Sequence, residues 1–81
     1  MAIKLVFLGK LADLAGEPER DLAVGTLDWA GLLKVLEPAL AAEIASQRIK
    51  LAVNGAVLAD KTGLMASNGD EIALLPPVSG G

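Results

Sequence analysis

Residues 71–81 read EIALLPPVSGG and are the most informative stretch of the 81-residue sequence. The first five are mostly apolar and follow the turn residues Asn-Gly-Asp at 68–70, which predicts a last strand over Glu71–Leu75. Pro76 and Pro77 lack backbone donors and have a restricted φ, so the strand should end there and an extended arm should begin. The arm finishes with two glycines, which have no side chains and therefore fit a narrow slot in a partner.

Four further strands are predicted upstream of this stretch. Residues 3–8 form an apolar, partly β-branched run, and residues 20–24 alternate charged and apolar side chains after the turn residues Gly-Glu-Pro-Glu. Residues 49–53 and 56–58 flank an Asn-Gly pair, the strongest short-range signal for a two-residue hairpin. The two pairs of runs therefore predict two hairpins.

One main helix is predicted between these hairpins. Either Thr26 or Asp28 can cap it, because the side-chain oxygen of each accepts from an N–H of the first turn. An apolar stripe at helical spacing follows and consists of Trp29, Leu33 and Leu36, with Ala30 and Leu32 beside them. Pro38 disfavours helical geometry at the residue before it, so the helix should stop there and a second piece should run over residues 38–46. Residues 62–66 are expected to be a loop or a single turn.

The order β-β-α-β-(β)-β in a chain of this size predicts an α+β fold of the β-grasp, or ubiquitin-like, type. It would hold a mixed sheet of about five short strands packed on one main helix. Because a hairpin cannot join parallel strands, the first and last strands are expected to be central and parallel, linked through the helix. We therefore predict a β-grasp domain over residues 1–75 and an extended, flexible tail over residues 76–81 that carries the Gly-Gly end.

Composition excludes several classes of function. Seven basic against ten acidic side chains give a net charge of −3, the wrong balance for tracking nucleic-acid phosphates. The sequence has no Cys and no His, so no metal or cofactor is expected to be bound by this chain. The apolar stretch near Met1 is too short for a signal-peptide core, and no uncharged run reaches the ~18–20 residues that span a bilayer. A cytoplasmic protein is expected, with an apolar face that a partner covers.

Two patterns that imitate chemical sites are interpreted as ordinary surface. Residues 55–62 differ from a phosphate-binding loop at one position, where the carboxylate of Asp60 replaces a glycine and repels phosphate. Two pairs of carboxylates lie in predicted turns, where solvated charges are common, and the second pair is also a candidate docking patch. The pairs are Glu17 with Glu19 and Asp70 with Glu71.

The α-carboxylate of Gly81 is the best candidate for a reactive group. A carboxylate has no good leaving group, so acyl transfer requires activation, most simply as an acyl-adenylate made by a separate enzyme that uses ATP. Sulfide transferred to that adenylate would leave a thiocarboxylate, whereas an amine acceptor would make an isopeptide-linked modifier. Glycine-rich ends also occur as plain disordered termini, so the ending carries weight only together with the predicted fold.

The sequence resembles the MoaD family, the small sulfur-carrier subunits of molybdopterin synthase, over essentially its whole length. The related thiamine carriers of the ThiS type share the fold and the Gly-Gly end but usually lack the two prolines. The residues that carry the resemblance are IKLVFL at 3–8, the spacing of Leu11, Leu14 and Gly16, AVNG at 52–55, and GDEIA at 69–73 leading into PPVSGG at 76–81.

The resemblance implies a non-catalytic carrier in molybdenum cofactor biosynthesis. A MoeB-like enzyme would adenylate Gly81 with ATP, and a sulfurtransferase system would convert it to a thiocarboxylate. A MoaE-like large subunit, in an expected heterotetramer, would then receive the tail and pass the sulfur to cyclic pyranopterin monophosphate. The alternatives are a sulfur carrier of another pathway (thiamine or tungsten cofactor), a ubiquitin-like protein modifier, and a β-grasp module that binds without covalent chemistry.

The same resemblance implies which residues form the site. Gly81, with Gly80 before it, would be the reactive end. Seven residues are expected to face the partner because of their position beside the exit of the last strand, namely Phe7, Leu74, Leu75, Pro76, Pro77, Val78 and Ser79. The sequence departs from the family where aromatic residues are frequent just before the prolines, and Ala12 stands where a basic residue is common.

Overall fold

The computed structural model describes residues 1–77, which form a five-stranded mixed sheet, a second two-stranded sheet and three short α-helices. The elements, in chain order, are β1 (Ile3–Phe7), α1 (Lys10–Ala15), β2 (Glu19–Leu22), β3 (Thr26–Asp28), α2 (Trp29–Val35), α3 (Pro38–Ala45), β4 (Lys50–Val53), β5 (Ala56–Val57), a 3₁₀ turn (Lys61–Gly63), β6 (Met65–Ser67) and β7 (Glu71–Leu75).

The first and last strands are central and parallel, as predicted. The five strands are ordered β2-β1-β7-β4-β5, and only the β1–β7 pair is parallel. Phe7 is in register with Leu74 in that pair, and Leu74 is in register with Leu51 of β4. The last strand therefore has a neighbour on each side, and the chain leaves the sheet from its middle. This arrangement confirms the α+β, β-grasp architecture.

The helical segment is divided as the proline predicts. Asp28 caps α2 by accepting a hydrogen bond from the backbone N–H of Gly31 at 2.8 Å. Glu37 has an extended backbone, with φ −58° and ψ 148°, because Pro38 follows it and begins α3. The predicted stripe is partly wrong. Leu32 and Leu36 are buried, whereas Leu33 is only half-buried.

The pairing of β3 with β6 was not predicted. Thr26–Asp28 and Met65–Ser67 form a two-stranded antiparallel sheet in which Leu27 lies opposite Ala66. The expectation of a loop or turn over residues 62–66 is wrong at its C-terminal end, where β6 begins. Three-residue strands are too short to show an alternating pattern, and only the long-range pairing identifies them.

The core lies between one face of the five-stranded sheet and the helices. Alternate residues of the central strands point into it, as the period of two in a β-strand requires. The main contributors from β1 and β7 are Ile3, Leu5, Phe7, Ile72 and Leu74, and those from the helices are Leu11, Leu32, Leu40 and Ile44. No polar or charged residue among residues 1–77 is classed as buried. The interior of the described domain is therefore apolar and offers no chemistry of its own.

Candidate functional site

The face of the five-stranded sheet opposite the helices is not covered by any element of residues 1–77. Lys4 and Val6 point to this side, because they alternate with the core residues of β1. Ala73 and Leu75 of β7 do the same and are each half-buried. We call this side the open face.

An apolar row crosses the open face from β1 to β5. Val6 is in register with Ala73, Ala73 with Ala52, and Ala52 with Val57. Ala52 is only 5% exposed, yet it does not belong to the core cluster, because its neighbours in this row cover it from the outer side. Val57 is 57% exposed. Neighbouring side chains in such a row are within contact distance, so the row is a continuous apolar strip.

Charged side chains border this strip. On one side of the strip, Lys4 is in register with Glu71 and forms an ion pair of 3.5 Å with Glu19 of β2. On the other side, where the chain leaves the sheet, Lys50 is in register with Leu75. An apolar centre with a charged rim is the usual composition of a transient protein interface.

The tail leaves the sheet next to the open face. Leu75 is the last residue of β7, Pro76 is half-buried, and Pro77 is exposed. Leu8, which is 41% exposed, follows β1 and donates its backbone N–H to the carbonyl of Leu74 at 3.3 Å. The exit of the tail is therefore flanked by apolar surface from β1 and β7.

Two of the seven residues expected to face a partner lie in the core instead. Phe7 is 2% exposed and Leu74 is fully buried, because the alternation of β1 and β7 turns both side chains toward the helices. The expectation of surface exposure is therefore wrong for these two side chains. Leu75, Pro76 and Pro77 do lie at the tail exit.

The remaining predicted site residues are outside the part of the chain that the structure describes. They are Val78, Ser79, Gly80 and Gly81.

Four surface residues were missed by the sequence interpretation. They are Val6, Leu8, Val57 and Ala73, which line the strip or the tail exit. Lys4 carries the signal that would have found two of them. A lysine is seldom buried, so the residues two and four positions after it belong to the same outward face.

The carboxylate of Asp70 has a structural partner for each oxygen. Its Oδ1 accepts from Nδ2 of Asn54 at 2.9 Å, and its Oδ2 accepts from the backbone N–H of Ser67 at 2.8 Å. These hydrogen bonds hold the pKa of Asp70 below its usual value, and the bond from Asn54 contributes most. Asp70 thus ties the β4–β5 hairpin to the turn before β7.

Residues 55–62, which imitate a phosphate-binding loop, also have a structural explanation. The Oδ1 of Asp60 accepts from the backbone N–H of Thr62 at 3.0 Å and from its hydroxyl at 2.6 Å. Lys61 donates from Nζ to the main-chain carbonyls of Ile44 (2.9 Å), Ile49 (2.8 Å) and Ser46. The lysine therefore holds the end of α3 against the start of β4, and no phosphate cradle forms here.

Residues 1–77 contain no group of three acidic, histidine or cysteine side chains arranged to hold a metal ion. None of the helices in the same range has the length and apolarity needed to cross a membrane.

Comparison with protein families shows a match to the ThiS family over residues 5–81. Comparison with curated protein sequences finds no significant match.

Solved structures with the same fold come from archaea and bacteria. The crystal structure of SAMP1 from Haloferax volcanii is 28% identical, with both chains covered completely and a TM-score of 0.76. The solution structure of small archaeal modifier protein 1 from Methanosarcina acetivorans is 27% identical, covers 99% of this chain and 96% of that one, and has a TM-score of 0.79. A complex of subunits 1 and 2 of molybdopterin-converting factor from Helicobacter pylori contains a chain that is 23% identical, completely covered in both directions, with a TM-score of 0.66.

Proposed function

The chain belongs to the ThiS family of ubiquitin-like proteins, and on that premise we propose that it carries sulfur for the biosynthesis of the molybdenum cofactor. The observation that carries the proposal is the place where the chain leaves the sheet at the end of β7. The family match extends through Gly81, and the strand that leads to the tail is central and ends beside an apolar open face.

The proposed chemistry takes place at the carboxyl end of Gly81. A carboxylate oxygen attacks the α-phosphorus of ATP in a MoeB-like enzyme, and pyrophosphate leaves. Sulfide supplied by a sulfurtransferase then attacks the acyl carbon, and AMP leaves, so that the terminal group becomes a thiocarboxylate. Its sulfur atom displaces an oxygen substituent from a carbon of cyclic pyranopterin monophosphate in the large subunit. Water then cleaves the bond between the acyl carbon of Gly81 and the sulfur, so the carrier regains its carboxylate and the pterin keeps the sulfur.

We infer that the catalytic groups come from a partner that docks on the open face. The core of residues 1–77 has no buried polar residue, and the sequence has no His or Cys. A carrier of this kind contributes a docking surface and a substrate tail rather than an active site. We propose that a MoaE-like large subunit covers the apolar strip from Val6 to Val57 while it accepts the tail. The converting-factor complex from Helicobacter pylori supports a partner of that type.

Protein modification is the second candidate function. The specific observation in its favour is the identity of 27–28% to two archaeal small modifier proteins over nearly the whole chain, against 23% to the converting-factor subunit. In that case the adenylate of Gly81 would react with a lysine amine of a target protein, with loss of AMP and formation of an isopeptide bond. A sulfur carrier of the thiamine or tungsten-cofactor pathways would use the same terminal chemistry with a different acceptor.

The deciding experiment measures the intact mass of the untagged protein after incubation with ATP, a MoeB-like activating enzyme and a sulfide source. Sulfur carriage predicts a mass gain equal to one oxygen replaced by sulfur, located at Gly81. The variant lacking Gly81 is the control and should gain nothing while keeping its circular dichroism spectrum. Addition of the large subunit and cyclic pyranopterin monophosphate should return the carrier to its original mass.

The alternatives give different products in the same reaction. Conjugates of higher mass on added lysine-bearing proteins, with no sulfur gain, would support the modifier. A stable thiocarboxylate that the large subunit leaves intact, but that a thiazole-forming system consumes, would move the carrier to thiamine biosynthesis. If none of these products forms with an activating enzyme that is active on another carrier, the proposal is contradicted.

A further inference from the structure

Gly9 has a backbone conformation that residues with a side chain rarely adopt. It lies between β1 and α1 with φ +55° and ψ −133°, which is outside the left-handed helical region as well as the right-handed one. Its carbonyl accepts from the N–H of Ala12 at 3.1 Å, and the N–H of Leu11 donates to the carbonyl of Leu8 at 3.1 Å. The turn around Gly9 is therefore held on both sides.

The ring of Pro76 occupies the space beside this glycine. A Cβ built on Gly9 would lie 3.2 Å from Cγ of Pro76, which is tighter than about nine in ten real Cβ contacts. Any side chain at position 9 would have to displace the ring by a few tenths of an ångström. The absence of a side chain thus creates the seat in which the first tail residue rests.

Leu75, the residue before Pro76, is also fixed in position by the sheet. Leu75 lies in the central strand, in register with Lys50 of β4, and Leu74 accepts the hydrogen bond from the N–H of Leu8. The φ of Pro76 is restricted by its ring. The direction in which the chain leaves the sheet is therefore set by β7, by the ring of Pro76 and by the turn at Gly9 together.

We propose that Gly9 is a positioning residue, which seats Pro76 and so sets the direction in which the chain leaves the sheet toward the active site of the activating enzyme. This inference rests on the proposed activation of Gly81. We do not assign Gly9 a contact with the reacting atoms or with the partner. It acts through Pro76, so a change at position 9 should alter the rate of the terminal reaction more than the affinity of docking.

A double-mutant cycle with Gly9→Ala and Pro76→Gly tests this arrangement. The rate of pyrophosphate release by a MoeB-like enzyme is measured at varied carrier concentration. Gly9→Ala should lower kcat several-fold to about tenfold, because misplacement of a reacting group is costly, with KM for the carrier within about twofold. In the Pro76→Gly background the ring is gone, so Gly9→Ala should cause no further loss. Equal losses in both backgrounds would overturn the inference, because they would show an effect of backbone strain alone.

Gly16→Ala is the matched control. Gly16 also has a positive φ, of +79°, but no atom lies within 4 Å of a Cβ built on it. This variant should keep the kcat of the unchanged protein even though its backbone is strained. A fall in kcat equal to that of Gly9→Ala would count against a specific role for the seat.

A second measurement does not depend on the partner enzyme or on Gly9→Ala folding. In the unchanged protein, an NMR nuclear Overhauser effect is expected between the Hα protons of Gly9 and the Hγ protons of Pro76. Its absence would overturn the inference. Failure of the enzyme to activate the unchanged protein, with this signal present, would contradict the proposed function and leave the seat established.

Discussion

Leu75 lies directly opposite Lys50 in the antiparallel pairing of β7 with β4, and both side chains are on the open face. Leu75, the last residue before the two prolines, therefore has an apolar side chain with the ammonium of Lys50 beside it. A carboxylate introduced at position 75 would meet that cation and remain in water, so the fold should tolerate it. The same carboxylate would be expensive to bury against an apolar partner.

Leu75→Glu should therefore weaken binding to the large subunit without unfolding the carrier. We expect Kd to rise about tenfold or more, equivalent to about 1.4 kcal/mol, with little change in the thermal midpoint. Isothermal titration calorimetry and thermal unfolding measure the two quantities. Leu14→Glu is the matched control, since Leu14 is 48% exposed on α1 and away from the open face. Equal losses of affinity in the two variants would contradict docking at the tail exit.

Phe7→Ala should destabilise the protein rather than act on binding alone. Phe7 is 2% exposed, and its ring packs in the core. The guanidinium carbon of Arg20 lies 5.3 Å from the centroid of this ring. Truncation of a buried phenylalanine costs about 3–5 kcal/mol in the free energy of unfolding, and a urea titration of the variant checks this expectation. Val6→Ala, one residue away on the open face, should cost clearly less but weaken partner binding. The reverse order of stabilities would contradict the assigned faces of β1.

Phe7 and Val6 also show which parts of the structure could be predicted from the sequence. The central, parallel pairing of β1 with β7 followed from the order of elements and from the rule that hairpins are antiparallel. The face of each side chain followed from alternation only if one residue was known to be outside, and Lys4 provided that information. The expected position beside the exit of the last strand led instead to Phe7 and Leu74, whose side chains lie in the core.

The β3–β6 pairing and the seat at Gly9 could not be predicted in the same way. Each depends on residues that are far apart in the sequence, such as Leu27 with Ala66 and Gly9 with Pro76. Short strands and single glycines carry no periodic signal, because their conformations are imposed by tertiary packing.

Lys61→Met should destabilise the junction of α3 with β4. The ammonium of Lys61 donates to three main-chain carbonyls and lies 5.7 Å from the centroid of the Trp29 ring. Burial lowers the pKa of Lys61, and the nearby charge of Lys50 lowers it further, so these acceptors offset an unfavourable setting for the charge. Loss of the ammonium in Lys61→Met leaves these carbonyls without their donor. This should cost about 1–3 kcal/mol in the free energy of unfolding, which denaturant unfolding measures.

Lys34→Met provides the control for that variant. Lys34 is exposed in the last turn of α2 and forms no ion pair or side-chain hydrogen bond within residues 1–77. Its replacement should change the free energy of unfolding by no more than about 0.5 kcal/mol. Equal effects of the two substitutions would show that Lys61 is an ordinary surface lysine.

Asp70→Asn should reduce the loss of stability in acid. The pKa of Asp70 is held below its usual value of 3.8 in the folded protein by the hydrogen bonds from Asn54 and from the N–H of Ser67. The unfolded chain lacks these bonds and therefore takes up a proton at higher pH than the folded chain does. Stabilisation by this carboxylate is complete above the unfolded pKa and is lost as pH falls through the folded one.

The free energy of unfolding, measured against pH from about 6 downward by urea titration, should therefore fall less steeply below pH ~4 in Asp70→Asn than in the unchanged protein. Some slope should remain, because hydrogen bonds from Arg20 and Thr62 also lower the pKa values of Glu37 and Asp60. Asp13→Asn is the control, since the Asp13 carboxylate accepts no hydrogen bond from residues 1–77. An unchanged slope in Asp70→Asn would show that the Asn54–Asp70 contact does not persist in solution, and the hairpin would need another tether.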